Sequence, residues 1–270
     1  MEHAIALARE IRATALRMVH AARASHIGSA LSIADILAVL YGGRLRFDPA
    51  KIDDPARDRL ILSKGHACVA VYAALAEIGV LSRDEIASYG QDFSPLMNHI
   101  SHKVHGVEFS TGSLGHGLPF AVGKAMAARL RGQHWKCYVL LGDGEMDEGS
   151  NWEALMFAAH HGLDNVVAII DRNNLQSLTT VEATLALEPL DRKLEAFGCR
   201  VFDVDGHDHR ALDAAFAAAA SVRGQPTALI ARTVKGKGVS FMENSVDWHY
   251  RSPDAQQLRQ ALAELGVQYA

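Results

Sequence analysis

The sequence predicts an α/β fold: one doubly wound, mainly parallel sheet with helices on both faces, in a single domain over residues 1–270. Three observations carry this expectation. Short runs rich in Val, Ile and Leu recur at 59–63, 137–141, 165–170, 200–204 and 227–231. Helical patterns separate most of them, and such alternation is the signature of a parallel sheet. The runs are apolar throughout rather than alternating, as strands covered on both faces are. No internal repeat, low-complexity tract or Pro/Ser-rich linker divides the chain.

The elements follow in order. Residues 2–22 carry Ile5, Leu7, Ala8, Ile11, Ala15 and Val19 at helical spacing with few breakers. After the His26-Ile27-Gly28-Ser29 turn, Ile33, Ile36, Leu37 and Leu40 mark a helix over about 31–41. Arg59–Ser63 is a strand, and Gly65-His66 opens an alanine-rich helix to about Ile78. Residues 90–113 are rich in Gly, Ser and His without a period and read as a long loop, a kind that is commonly functional. Then come strand 137–141, helix 150–161, strand 165–170, helix 189–197, strand 200–204, helix 209–221, strand 227–231 and helix 254–265.

Composition narrows the function classes. With 49% hydrophobic and 21% charged residues the chain has an ordinary globular composition. The net charge of −4 argues against a nucleic-acid partner. Apolar windows such as 67–76 and 154–160 are far short of the roughly 20 residues that span a bilayer, so no membrane association is expected. Met-Glu-His-Ala at the start has no secretory pattern. Cys68, Cys137 and Cys199 form no CxxC, which excludes a disulfide scaffold or thiolate zinc site and fits a cytoplasmic location.

The 14 histidines and 22 glycines cluster in short segments. In parallel sheets ligands bind beyond the carboxyl ends of strands, here near 63, 142, 171 and 232. One such end reads Gly142-Asp143-Gly144-Glu145-Met146-Asp147-Glu148-Gly149 before a helix. The glycines let the backbone approach a ligand, and the helix start offers free N–H groups. The next strand ends in Asp171-Arg172-Asn173-Asn174-Leu175. Asp143 and Asn173, with a nearby carbonyl, form a hard-oxygen set of the kind magnesium takes alongside phosphates and water. Read alone, Gly-Asp-Gly is also an ordinary βα turn and Asn-Asn an ordinary strand-ending turn.

The pair, with its strand–helix–strand spacer, resembles the thiamine-diphosphate motif. The chain around it resembles the first third of transketolase. The segments are Ser25-His26-Ile27-Gly28, Leu62-Ser63-Lys64-Gly65-His66-Ala67, Asn98-His99, Gly106–Gly117 and Trp248-His249, in the family's order and near its spacing. The resemblance implies a thiamine-diphosphate-binding fold, specifically its diphosphate domain. It implies a transferase that moves a two-carbon ketol unit from a ketose to an aldose. It implies Asp143, Asn173 and the Leu175 carbonyl as ligands of Mg²⁺ (or Ca²⁺ or Mn²⁺ in its place). The Gly144 backbone and neighbouring Gly142 would serve the diphosphate. Gly112, Ser113 and Leu114 would touch the cofactor, Leu114 by the thiazolium. His26 and His249 would stand beside the donor carbonyl and the hydroxyl that is deprotonated, His66 near the diphosphate and ketol oxygens, and His99 on the ketol hydroxyls. Histidine suits such proton transfers near neutral pH. Glu148 would sit at a dimer interface.

Blander readings stand beside these. His26 and His66 precede helices and could be caps. His99, His102 and His105 could gather a transition metal, but Pro95, Gly106 and the missing apolar face oppose a helix there. His116 could be a polar neighbour of the cofactor. His160, His161, His207 and His209 read as structural or solvated. Glu145 and Asp147 read as solvated or interface acids, with Glu145 also counted among the cofactor-contacting positions.

Two loops depart from the family pattern: Gln176-Ser177-Leu178-Thr179-Thr180 and His249-Tyr250-Arg251-Ser252-Pro253. Tyr250 and Arg251 are expected to narrow or recharge the donor channel. The resemblance further implies that the pyrimidine-binding and C-terminal domains, with the glutamate that serves the aminopyrimidine, lie on a separate C-terminal subunit. The expected assembly is an α2β2 heterotetramer acting on small sugars or sugar phosphates. Half of another thiamine-diphosphate enzyme (an oxo-acid decarboxylase, a dehydrogenase or a deoxyxylulose-phosphate-synthase-like enzyme) and an inactive regulatory subunit remain open alternatives.

Overall fold

A computed structural model describes residues 2–269. Helix α1 (Glu2–Ala22) buries Leu7, Ile11, Leu16 and Val19 along one side. Helices α2 (Ile27–Leu31) and α3 (Ala34–Val39) replace the single helix expected over 31–41. The break falls at Ser32-Ile33, where the Ser32 hydroxyl donates to Asp171 at 2.7 Å and lies 3.1 Å from the Ser29 carbonyl. A π turn over Leu40–Arg44 follows. By length and composition 27–44 could cross a membrane, but it is broken here and 78% of it is buried in the protein.

Strand β1 (Arg59–Leu62) leads through a 3-10 turn at Gly65–Ala67 into α4 (Cys68–Glu77). Helix α5 (Arg83–Ala87) starts on a capping box in which Ser82 and Glu85 each bond the other's backbone N–H. The long loop expected over 90–113 contains no helix or strand. Helix α6 (Gly117–Leu130) then runs to β2 (Cys137–Gly142), which is followed by a 3-10 turn at Gly144–Asp147 and α7 (Gly149–His160). Strand β3 (Val166–Arg172), α8 (Val181–Thr184), α9 (Leu190–Ala196) and β4 (Arg200–Asp205) follow. Helix α10 (His209–Ser221), β5 (Thr227–Arg232) and α11 (Ala255–Glu264) complete the chain. Helices α5, α6 and α8 lie outside the elements expected from sequence. Gly117, Pro119 and Gly123 weaken the helical signal of α6, yet Gly117 is needed there because a Cβ would overlap Ser63.

All five strands are parallel, in the order β1-β2-β3-β5-β4. Alternate strand residues serve two cores. Leu62, Leu140, Ile169 and Leu229 pack with α1, α3, α4, α10 and α11, while Ile61, Leu141, Ile170 and Ile230 pack with α6, α7 and α9. Each such side chain contributes about 1.5–3 kcal/mol by leaving water. The register sets Gly142 beside Asp171 and Asp171 beside Ala231. The segments after β1, β2, β3 and β5 therefore emerge from one edge of the sheet.

Candidate active site

Those four segments, the α1–α2 turn, the long loop and a 3-10 turn at Val246–His249 enclose one cleft. Of the residues expected in the site, His26, His66, His99, His249, Gly112, Leu114, Gly142, Asp143, Gly144, Glu145, Asn173 and Leu175 all line it. Ser113 is exposed beside Gly112 and outside the lining. Ser29, Lys64, Gln176, Ser177 and Lys235 line it as well. Lys64 falls within the Ser-Lys-Gly-His segment. The signal for Lys235 is its place next to Gly236, just past the end of β5.

Asp143, Asn173 and Leu175 line the same cleft. Asp143 Oδ1 accepts from the Gly144 N–H at 2.8 Å, and Oδ2 from the Asn174 N–H at 2.6 Å and from Arg172 at 3.1 Å. Burial, with Asp171 nearby, pushes the Asp143 carboxyl above its ordinary value despite these donors. A cation in the cleft would relieve that cost. Asn173 donates to Asp171 at 2.8 Å, and its Oδ1 accepts from the Leu175 N–H at 3.1 Å. The carboxylate, amide and carbonyl oxygens thus suit a hard cation such as magnesium. Among the described residues no three His, Cys, Asp or Glu gather as a metal site, which sets aside the His99/His102/His105 cluster.

Beneath the oxygens lies Asp171, fully buried. Its Oδ2 accepts from Ser32 at 2.7 Å, Lys64 at 2.5 Å and Asn173, and its Oδ1 from Thr233. Burial opposes ionisation, but Lys64, Thr233 and Ser32 outweigh it and hold the Asp171 carboxyl below its ordinary value. Lys235 Nζ sits 3.4 Å from the Leu175 carbonyl, 3.0 Å from that of Gln176 and 2.9 Å from His249 Nδ1. Burial, followed by the charge of Lys64, lowers the Lys235 amine to about 8.

The histidines form one cluster. Ring centroids of His26 lie 5.2 Å from His66, 5.7 Å from His99 and 5.0 Å from His249, and His66 stacks on His249 at 5.5 Å. Burial, then His99, Lys235 and Lys64, lowers His26 to about 4. Burial, then Lys235, His26 and Lys64, lowers His249 to about 3. His66 also falls well below its ordinary value, chiefly by burial. All three rings are therefore neutral near pH 7. His26 occupies the N-cap position of α2 at φ 70°, but its side chain makes no capping bond. Its Nδ1 is 2.9 Å from Ser25 Oγ instead.

Several expectations need correction. Glu145 is not solvated: it is buried, and its carboxylate accepts from Ser63 Oγ, the Gly115 N–H at 3.0 Å and the Gly142 N–H at 3.2 Å. It buckles three loops of the cleft from behind. Burial raises its carboxyl above the ordinary value, against the pull of those donors. Asp147 is half-buried and accepts from Gln176 at 2.8 Å. His116 is exposed, with Nδ1 on the Leu114 and Ser113 carbonyls rather than in the cleft. For His207 and His209 the structural reading holds, since both meet Asp35. Tyr250 is exposed outside the cleft lining, with its ring 4.8 Å from that of His249 and 6.1 Å from that of His26. Arg251 also lies outside the lining, in an exposed pair with Asp247 at 3.2 Å.

Comparisons with known proteins agree with this geometry. The family described as "Transketolase, thiamine diphosphate binding domain" matches residues 3–270. One subunit of the apulose-4-phosphate transketolase of Actinobacillus succinogenes is 44% identical, covering 89% of this chain and 87% of its own length. The "6-deoxy-6-sulfo-D-fructose transketolase subunit SqwG" of Clostridium sp. is 37% identical, covering 94% and 93%. The solved transketolase of Campylobacter jejuni superposes with a TM-score of 0.94 at 31% identity, over 99% of this chain and 43% of that one. The chain thus spans less than half of that solved transketolase but nearly the whole length of the two subunit relatives.

Proposed function

The chain belongs to the transketolase family through its thiamine diphosphate binding domain, and from that premise we propose how its cleft works and what it works with. It is the thiamine-diphosphate-binding subunit of a transketolase-type transferase. The observation that carries the mechanism is the four-histidine cluster set beside Asp143 and Asn173 in one cleft.

Asp143, Asn173 and the Leu175 carbonyl would hold Mg²⁺, and through it the diphosphate, with Gly142, Gly144 and Gly112 letting the backbone come close. When bound, thiamine diphosphate supplies the carbon nucleophile that takes up and releases the two-carbon unit. The protein's own residues bind, orient and move protons. Lys235 occupies Nδ1 of His249, so the ring offers Nε2–H to a substrate oxygen. His26 is neutral near pH 7 and can take a proton from a substrate hydroxyl. His66 and His99 complete the polar wall on which ketol hydroxyls are oriented.

The proposed partner is a C-terminal subunit carrying the pyrimidine-binding domain and its glutamate, in an α2β2 assembly. The names of the relatives, which call them subunits, and their matching lengths support it. Those relatives are named for different ketoses, so the proposed donor class is a ketose bearing a terminal anionic group, with apulose 4-phosphate the first to assay. The decisive experiment measures thiamine diphosphate binding and ketol transfer for the purified chain with and without the candidate partner. Turnover is expected only when both are present. Normal turnover by this chain alone refutes the two-subunit reading.

A further inference from the structure

A second buried charge cluster lies outside the cleft and has no part in the chemistry above. Asp35 of α3 accepts from both Nη atoms of Arg12 in α1. His207 Nδ1 lies 2.7 Å from Asp35 Oδ2, and His209 Nε2 lies 3.1 Å from Oδ1. Burial alone would raise the Asp35 carboxyl, but the His207 and His209 contacts and Arg12 hold it well below the usual carboxylate range. The cluster therefore joins α1, α3 and the segment between β4 and α10.

One contact leaves the cluster. The Val234 backbone N–H donates to His207 Nε2 at 2.8 Å. A backbone N–H can only donate, so Nε2 presents its lone pair and Nδ1 carries the hydrogen it gives to Asp35. Asp35 thereby sets the tautomer, as a carboxylate does for many functional imidazoles. Val234 immediately precedes Lys235, whose Nζ reaches His249 and two carbonyls of the cleft. The same turn is tied to the cleft by the Gly236 N–H on the Gly28 carbonyl at 2.9 Å.

We propose that His207, oriented by Asp35, is a positioning residue that fixes the 233–236 turn and so places the Lys235 amine in the cleft. Its consequence for the cofactor rests on the function proposed above; its consequence for the turn does not. A clamp that served only to hold α1 and α3 together would need the Asp35 side of the ring and not its Val234 side.

Two near-isosteric variants separate the two sides. His207→Gln puts an oxygen near the Nε2 position and keeps an acceptor for Val234. His207→Asn puts an amide NH₂ near Nδ1 and keeps a donor for Asp35. Amide hydrogen exchange across 233–236 is expected to quicken at least tenfold in His207→Asn and less than threefold in His207→Gln. In the two-subunit complex, thiamine diphosphate is expected to bind at least fivefold more weakly to His207→Asn and within twofold of wild type to His207→Gln. Equal exchange in the two variants, or faster exchange in His207→Gln, overturns the assignment. Should either variant fail to fold, nitrogen-15 spectra of histidine-labelled wild-type protein decide, because an Nε2–H tautomer at His207 overturns it. Failure of the wild-type complex to bind thiamine diphosphate would overturn the function proposed above, while the exchange contrast would still decide the positioning role.

Discussion

Replacing Asp171 removes the one carboxylate on which Lys64, Asn173, Ser32 and Thr233 converge. Lys64 is itself buried, at 1% exposure. In Asp171→Ala its ammonium is left without a countercharge, and breaking a buried pair in this way costs about 3–5 kcal/mol. At roughly 2 °C per kcal/mol for a chain of this size, the melting temperature should fall by about 6–10 °C. Asp171→Asn keeps an acceptor for Lys64, and the Thr233 hydroxyl can turn to accept from the new amide. It leaves Lys64 equally without a countercharge but keeps its hydrogen bond, so it should lose less than Asp171→Ala by about 1.5–3 kcal/mol. Adding Lys64→Met to Asp171→Ala removes the stranded charge and should recover about 2 kcal/mol or more, a coupling that a double-mutant cycle reads directly. Urea titrations at pH 7, backed by thermal melts, measure all three. A loss under about 1 kcal/mol in Asp171→Ala, or a double variant no more stable than it, refutes the reasoning.

Three further outcomes follow from the same geometry. His26, His66 and His249 have folded pKa values below the ordinary 6.5, near 4 for His26 and 3 for His249. The unfolded chain takes up their protons first, so this stability is whole above about pH 6.5 and is lost as pH falls toward those folded values; equal urea midpoints at pH 7.5 and pH 5 would contradict it. In Gly65→Ala the new Cβ would overlap the Thr111 carbonyl and hydroxyl, and that hydroxyl is held by the Leu62 carbonyl at 2.6 Å. Backbone cannot yield as a flexible side chain does, so a loss of about 3 kcal/mol or more is expected by urea titration, and wild-type stability would sink the argument. Arg251→Ala breaks only an exposed pair, so it should cost under about 1 kcal/mol and leave the ranking of ketose donors as it was; a changed ranking would show that Arg251 reaches the substrate.

Much of the site was legible because its residues sit where local chemistry is unambiguous. Gly142-Asp143-Gly144 at one strand end and Asn173 at the next needed only the strand pattern to be placed side by side, and the register of β2 and β3 does place them so. The histidine segments were legible as short motifs, and the cleft collects them from four separate stretches. The burial of Glu145 is not legible in the sequence, because an acid in a glycine-rich loop reads as solvated. Only the folded loops bring Ser63, Gly115 and Gly142 around it. Helix α6 is hidden in the sequence for a related reason: Gly117 serves close packing against Ser63, a demand invisible to periodicity.

Local pattern thus decides the strands, the parallel sheet, most of the long helices and the candidate ligands, because strand and helix periods and strand-end chemistry are properties of neighbouring residues. Protonation and placement belong to the tertiary structure. His26 and His249 are neutral because burial and two lysines from distant segments surround them, and Lys235 enters the cleft on a turn tied to His207 and Gly28. Electrostatic strength depends on distance and on water excluded, and neither is set until the chain has closed upon itself.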